Sequence, residues 1–432
     1  MFPPHIHRDR RERLMQLIGP RSVAIFASPP EVLRNGDSHF PFRQSSDLLY
    51  LTGFGEPKST LVLKPDDSRE RVVLYVRPRD PEGETWTGRR AGIEGAVATY
   101  GADAAYPSDQ LGNHLAKLLA NTEELHYSVG IDKNLDARVV GTIAAMRAAE
   151  RKLGRAPTRI VDPRATLHEM RLHKSSEEIE TMTEAANIAG EAITAAMRAV
   201  RPGMTEYQLQ ALVEQIFRNR GANGPSFPTI VGCGNNATTL HYEENSASIE
   251  KGQLVLIDAG AEYQYYASDI SRTFPCGRSF APAQRDCYKV VLAAQEEAIR
   301  AVRPGTTIDK IHQRAVEVLA AGMVELGLLR GDPSQRIADG AYKKYYMHRT
   351  SHWLGMDAHD VGDYTTRNGD ARLLEPGMVL TIEPGLYIPA SDTEAPASLR
   401  GIGIRIEDDV LVTADGARVL TASAPKQPDE VC

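Results

Sequence analysis

The stretch Lys251-Gly252-Gln253-Leu254-Val255-Leu256-Ile257-Asp258 runs from a glycine through an apolar strand to a carboxylate. Pro376-Gly377-Met378-Val379-Leu380-Thr381-Ile382-Glu383 does the same, with the same offset from glycine to acid. A buried strand that ends in an acid twice over predicts two half-sites facing one another. A second pair of segments supports this. Arg198-Ala199-Val200-Arg201-Pro202-Gly203-Met204-Thr205 recurs as Arg300-Ala301-Val302-Arg303-Pro304-Gly305-Thr306-Thr307. In each copy a helix leads in, Pro-Gly stops it, and threonine is placed to cap a second helix. The spacing between copies differs for the two elements, so the halves have diverged by insertion. The expected architecture is two helix-helix-sheet halves related by a pseudo-twofold axis, with the strand ends meeting at the centre.

The rest of the chain frames this repeat. A length of 432 residues allows two or three domains. A hydrophobic content of 42 % with 25 % charged residues is that of an ordinary globular protein. The formal charge of −7 argues against nucleic acid or an anionic membrane as partner. Cys233, Cys276, Cys287 and Cys432 show neither CxxC spacing nor a dense framework, which predicts reduced thiols and a cytoplasmic location. No apolar run approaches the ~18 residues of a membrane helix, and no signal peptide is visible at the start. Asn236-Ala237-Thr238 fits a glycosylation sequon, a chance match in a cytosolic chain. Strand-like runs at 22–27, 59–63 and 71–76 and a helix over 138–153, stopped by Gly154, belong to a first part of the chain. Ser175 or Ser176 then caps a long amphipathic helix reaching about Val200, with acids in its first turn. The division is placed here, giving domains 1–172 and 173–432.

Four acids and a histidine cluster carry the chemistry. Asp258 and Asp269 bracket Ala259-Gly260-Ala261 and a Tyr-rich return strand, so both can point to one side of a hairpin. Glu383 ends the second apolar strand. Glu407 lies in Gly403-Ile404-Arg405-Ile406-Glu407-Asp408, where Arg405 and Glu407 share one face and Ile404 and Ile406 the other. Taken singly, each acid also reads as a turn former, an exposed strand end or half of a salt bridge. Gathered together they repel, at about 4 kcal/mol per pair ~4 Å apart for an effective dielectric of ~20. Protons or cations must compensate. Two divalent ions would nearly neutralise the set, and an oxygen-rich site with one imidazole favours Mn²⁺ or a similar hard ion. His348, His352 and His359 fall within Met347-His348-Arg349-Thr350-Ser351-His352-Trp353-Leu354-Gly355-Met356-Asp357-Ala358-His359-Asp360. The spacing of His348 and His352 is that of a zincin, but Arg349 stands where its glutamate base would be. His241 is balanced between core and pocket.

Taken with these residues, the chain resembles the bacterial Xaa-Pro aminopeptidases (aminopeptidase P) of the creatinase, prolidase and methionine aminopeptidase superfamily. The resemblance spans nearly the whole length. It rests on Phe42-Arg43-Gln44-Ser45-Ser46-Asp47, Tyr50-Leu51-Thr52-Gly53-Phe54 and Trp86-Thr87-Gly88-Arg89-Arg90 in the first part. In the second part it rests on Thr229-Ile230-Val231-Gly232, Leu256-Ile257-Asp258-Ala259-Gly260, Ser351-His352-Trp353-Leu354-Gly355, Ile382-Glu383-Pro384-Gly385 and Gly403-Ile404-Arg405-Ile406-Glu407-Asp408.

The resemblance implies an α/β (α+β) architecture: a ribonuclease-H-like creatinase domain followed by a pita-bread catalytic domain. It implies two divalent ions, most plausibly Mn²⁺, on Asp258, Asp269, His352, Glu383 and Glu407, with Asp269 and Glu407 shared between them. It implies hydrolysis of the bond between an N-terminal residue and a following proline by a hydroxide held between the ions. Glu383 would shuttle the proton, His359 would bind the substrate or its tetrahedral intermediate, His348 would lie near the substrate and His241 would line the pocket beyond the scissile bond. Tyr387, Arg405, Trp86 and Asp37 correspond to positions around the proline pocket, the last two supplied by a neighbouring subunit of a homotetramer or homodimer. The alternatives are a prolidase confined to Xaa-Pro dipeptides and a non-catalytic pita-bread binding module; the large first domain and the intact ligand set favour the aminopeptidase.

Overall fold

A computed structural model describes residues 2–277 and 279–432 of the chain. It divides into two compact units, Met1–Glu169 and Met170–Cys432.

The first unit is built on β1 (Ser22–Ala27), β2 (Thr60–Leu63), β3 (Val72–Val76), β4 (Ala104–Pro107), β5 (Glu124–Tyr127) and β6 (Arg159–Val161). They form one mixed sheet in the order β4-β3-β2-β1-β5-β6. The two later strand-like runs begin one residue further on than expected. Alternation does the work here: Val23 and Ile25, Val73 and Tyr75, and Leu125 and Tyr127 point to one face and pack under helices Leu111–Leu119 and Lys133–Ala148. The helix expected over 138–153 begins earlier and breaks. Asp132 starts it by accepting from the N–H groups of Asn134 and Leu135. Its buried stripe of Leu135, Val139, Ile143 and Met146 ends there. Glu150 stands where the stripe would continue, Ala149 leaves the helical region, and a short turn, Glu150–Leu153, continues to Gly154 with Leu153 back against the core.

In the second unit the repeat becomes two matching halves. Helix α1 (Ser176–Ala199) opens with a capping box, in which the Glu178 carboxylate accepts from the Ser175 N–H at 2.9 Å. Gly203, at φ 89°, turns the chain into α2 (Glu206–Asn219). The second half repeats this with α3 (Pro282–Ala301), Gly305 at φ 81° and α4 (Ile308–Glu325), where Thr307 Oγ1 accepts from the Lys310 N–H. The first half supplies antiparallel β7 (Ile230–Cys233), β8 (Leu254–Ala259) and β9 (Ile270–Pro275). The second supplies β10 (Val379–Ile382), β11 (Gly385–Ile388), β12 (Ile402–Arg405), β13 (Asp408–Val412) and β14 (Ala417–Val419). Strand β10 pairs β13, and β11 pairs β12, both antiparallel.

The halves correspond where it matters. Asp258 closes β8 and Asp269 directly precedes its partner β9; Glu383 follows β10 and Glu407 directly precedes its partner β13. The Tyr-rich segment is not the return strand itself. It is a short hairpin, Ala261–Tyr263 with Tyr266–Ala267, inserted before β9. Gly260 makes that insertion possible, because a Cβ there would lie 1.8 Å from the Ser268 carbonyl oxygen.

A seam joins β9 to residues 405–409. The Glu407 N–H donates to the Ser271 carbonyl at 3.1 Å, Arg272 Nη1 to the Glu407 carbonyl at 2.6 Å and Thr273 Oγ1 to the Arg405 carbonyl at 3.1 Å. Beneath it lies one core of α1, α2 and α3 side chains with Leu254, Leu256, Phe274, Ile404 and Ile406. Asp408 anchors the seam from behind. It is fully buried and accepts from Arg272, Lys426, Gln295 and Thr421. Arg272 first, then Lys426, hold its carboxyl down to about 2 against the opposing effect of burial. Asp408→Asn leaves the buried Arg272 guanidinium without its counter-charge, and the expected loss is about 3–5 kcal/mol, measured by denaturant unfolding; a loss under ~1 kcal/mol contradicts this account of the seam.

Candidate metal centre

Each candidate ligand is delivered by the end of a strand or by backbone pairing with one. The segment 350–354 runs beside β10: the Thr381 N–H donates to the His352 carbonyl at 3.0 Å, the Glu383 N–H to the Thr350 carbonyl at 2.8 Å and the Leu354 N–H to the Val379 carbonyl at 3.0 Å. This brings His352 to Glu383. Residues 345–352 are not helical, so the zincin-like spacing has no structural counterpart. Arg349 instead pairs with Asp309.

The ligand atoms converge. One ligand atom each of Asp269, His352 and Glu407 lie within 4.8 Å of one another. His352 Nε2 is 3.5 Å from Asp269 Oδ2 and 3.7 Å from Glu383 Oε1. Its Nδ1 donates to the Trp353 carbonyl at 2.9 Å, so in the neutral ring Nε2 carries the lone pair and faces the acids. Ser271 Oγ donates to Glu407 Oε2 at 2.7 Å. Asp258 accepts from Arg405 Nη2 on Oδ2 at 2.6 Å, while its Oδ1 is buried without a hydrogen-bond partner.

These acids oppose one another. Burial, then Asp258, Asp409 and Glu383, push the Asp269 carboxyl well above the carboxylate range. Burial, then Asp269, Glu383 and Asp258, do the same to Glu407. Glu383 is pushed up to about 7 by burial, with His352 and Arg405 pulling against it. An orphaned carboxylate oxygen, a lone pair on His352 Nε2 and acids held out of their ordinary range are the donor set a pair of hard divalent cations requires. The residues fit the metals.

Around this centre is a cavity of about 800 Å³, lined among others by Phe227, Ile230, Leu240, His241, Tyr364 and Arg372. His348 and Arg405 also face it, with Tyr387 bonded to both. Burial, then Arg405, lowers the His348 imidazole to about 3, so it is neutral. Its Nδ1 donates to the Arg349 carbonyl at 2.8 Å, which makes Nε2 the acceptor of the Tyr387 hydroxyl at 2.9 Å. That hydroxyl accepts from Arg405 Nη1 at 3.0 Å. A chain thus runs from Asp258 through Arg405 and Tyr387 to His348. His359 stacks edge-on to His352, ring centres 4.3 Å apart, and burial followed by His352 lowers its imidazole as well. Its neighbour Asp360, with 1 % of its side chain exposed, accepts from Arg171 at 2.6 Å and Lys174 at 3.1 Å.

The structure therefore brings Asp258, Asp269, His352, Glu383, Glu407, His241, His348, His359, Tyr387 and Arg405 together in the second unit. Asp37, at an exposed turn, and Trp86, on the short helix Pro81–Thr87 with 85 % of its surface exposed, belong to the first unit and are not among the residues lining this cavity. Sequence reasoning missed Ser271, which bonds both Glu407 and Arg405. Strand alternation two residues after Asp269 was the available signal. It also missed Asp409, whose carboxylate accepts the Asp269 N–H at 3.2 Å.

In comparisons with known proteins, the model of metallopeptidase family M24 matches residues 180–414, and that of the aminopeptidase P N-terminal domain matches residues 7–127. The chain is 45 % identical to the Xaa-Pro aminopeptidase of Escherichia coli K12 over 98 % of its own length and 95 % of that protein's. It is 34 % identical to human Xaa-Pro aminopeptidase 3 over 98 % of this chain and 84 % of that one. Among solved structures, Pseudomonas aeruginosa aminopeptidase PepP aligns with a TM-score of 0.97 at 44 % identity, covering 100 % and 97 % of the two chains. The zinc-substituted E. coli aminopeptidase P in complex with product aligns with a TM-score of 0.96 at 44 % identity and the same coverage.

The repulsion among the acids has a measurable sign. Glu407 lies above its ordinary 4.5 in the folded state. In chelator, its contribution to stability is therefore fullest below 4.5 and is lost as pH rises through the raised folded value. Glu407→Gln removes one opposing charge, so the metal-free variant at pH 7 unfolds several degrees above wild type, at about 2–4 °C per kcal/mol. Adding Mn²⁺ then raises the midpoint of wild type more than that of the variant. A metal-free variant that unfolds below wild type contradicts the charge argument.

Proposed function

We propose a reaction for a chain that belongs to metallopeptidase family M24, in its Xaa-Pro aminopeptidase group, with a pita-bread catalytic domain behind an aminopeptidase P N-terminal domain. It is a metallo-aminopeptidase: it hydrolyses the bond between an N-terminal residue and a following proline. The observation that supports this reading is the convergence of Asp269, His352 and Glu407 beside Asp258 and Glu383 at the floor of one cavity.

Asp258, Asp269, His352, Glu383 and Glu407 would hold two divalent ions, which supply Lewis acidity towards the scissile carbonyl and make water nucleophilic near neutral pH. An oxygen-rich set with one imidazole favours Mn²⁺ among them. Glu383, beside the ions, would take a proton from the attacking water and pass it to the proline nitrogen. That transfer is needed because an unprotonated amine leaves poorly. His359, neutral at pH 7, keeps an N–H to donate to the carbonyl oxygen. His348 and Arg405, which line the cavity, are locked by the Tyr387 hydroxyl behind them and give the proline ring a rigid wall. The bond before proline has no N–H, so a site shaped for a ring accepts what a site demanding that donor rejects. The substrate's free α-amine would bind near the ions and Asp258, which restricts cleavage to the first residue.

The reading extends to a cytoplasmic enzyme, which the free cysteines fit. It extends also to a homotetramer or homodimer in which Asp37 and Trp86 of one copy serve a neighbour, and to the division at 172/173.

Chelation abolishes activity, and Mn²⁺ restores it best among divalent ions; undiminished turnover in chelator refutes the metal assignment. Asp258→Asn lowers kcat/KM by more than the ~100-fold a lost outer-shell partner costs. Given Arg-Pro-Pro, the protein releases free Arg; cleavage confined to Xaa-Pro dipeptides makes it a prolidase instead.

A further inference from the structure

Glu206 is a buried acid that the reaction does not use. It stands at the start of α2 with no exposed surface. Oε1 accepts from the Cys233 N–H at 2.7 Å and Asn236 Nδ2 at 3.1 Å; Oε2 accepts from the Tyr242 hydroxyl at 2.9 Å and the Ala247 N–H at 2.8 Å. None of these partners is a cation. A buried carboxylate without a counter-charge is costly, and only donors filling all its acceptor sites, helped by the positive end of a helix, make it tolerable.

The four donors share one property. They come from the start, middle and end of residues 233–247, a segment of a 3₁₀ turn (Gly234–Thr238) and loop with no strand to stiffen it beyond Cys233. Asn236 and Tyr242 also bond each other at 3.0 Å, closing a ring around the carboxylate. Leu240 and His241, which line the cavity, lie between those two residues in the chain, and Glu243, which also lines it, follows directly. The far end of the segment has its own anchor: Asn245 accepts from the Val231 N–H at 2.8 Å and donates to the Thr229 carbonyl at 2.7 Å. Ala237 is packed in the core against Gly403, and residues 239–243 beyond it have Glu206, through Asn236 and Tyr242, as their side-chain anchor.

We infer that Glu206 is a positioning residue for peptide binding: its carboxylate organises residues 239–243 so that His241 faces the substrate. The inference rests on the reading of the cavity as a peptide pocket. When a site is competent only part of the time, apparent affinity falls by that fraction while the chemistry of bound substrate is untouched. Glu206→Gln keeps the shape but turns two of the four acceptor positions into donors.

The test compares metal-loaded wild type, Glu206→Gln, Tyr242→Phe, His241→Ala and the double variant Glu206→Gln/His241→Ala, by kinetics on Arg-Pro-Pro and by hydrogen exchange. Glu206→Gln is expected to raise KM about tenfold, the lower end of what a lost hydrogen bond to a charged group costs, with kcat and its pH profile within about threefold. Exchange rises by a similar factor at residues 239–243 and not at 245–249. The double variant is no worse than His241→Ala alone, because both act through one side chain. If Glu206→Gln does not fold, Tyr242→Phe shows the same pattern to a smaller degree. Unchanged exchange at 239–243, a fall in kcat with KM intact, or losses that multiply in the double variant overturn the inference. If wild type releases no Arg, the peptidase reading fails, and exchange alone still decides whether Glu206 holds the segment.

Discussion

The constraint on which the structure depends is the crowding of negative charge where little water remains to screen it. Asp258, Asp269, Glu383 and Glu407 meet at the strand ends of two halves, with Asp409 just behind. Arg405 answers Asp258 directly. The remaining charge has no counter-charge in the set itself, a demand that the two proposed ions would answer. A site that were electrostatically comfortable when empty would have little affinity left for metal.

The fold must hold such a centre together against its own repulsion. It does so with backbone pairing across the seam between β9 and residues 405–409, and with a second layer of charges of the opposite kind. Behind Glu407, Asp408 is gripped by Arg272 and Lys426; behind His359, Asp360 is gripped by Arg171 and Lys174. These pairs are buried and hydrogen-bonded at several points, the condition under which ion pairs fix geometry rather than merely decorate a surface. Glu206 achieves a related end with neutral donors alone.

Much of this was legible in the chain because it is local. Gly252 to Asp258 and Gly377 to Glu383 carry their strand and their acid in eight or fewer consecutive residues, and period-2 alternation assigns Arg405 and Glu407 a common face. The capped start of α1 at Ser175 is likewise a short-range signal. What escaped is non-local or depends on missing anchors. The helix expected over 138–153 starts at an Asp132 cap and breaks at Ala149, where Glu150 interrupts its apolar stripe. The grip of Arg171 on Asp360, of Glu206 on Tyr242 and of Ser271 on Glu407 joins residues far apart in sequence, and no spacing rule within one chain encodes it. The acids and the histidine that meet at the centre were readable; the side chains that aim them were not.

The most direct test is anomalous diffraction at the manganese edge from crystals grown with Mn²⁺. The account predicts two peaks about 3.5–4 Å apart, with Asp269 and Glu407 between them, Asp258 on one and His352 with Glu383 on the other. No anomalous density among these side chains, or a peak only elsewhere, would contradict it.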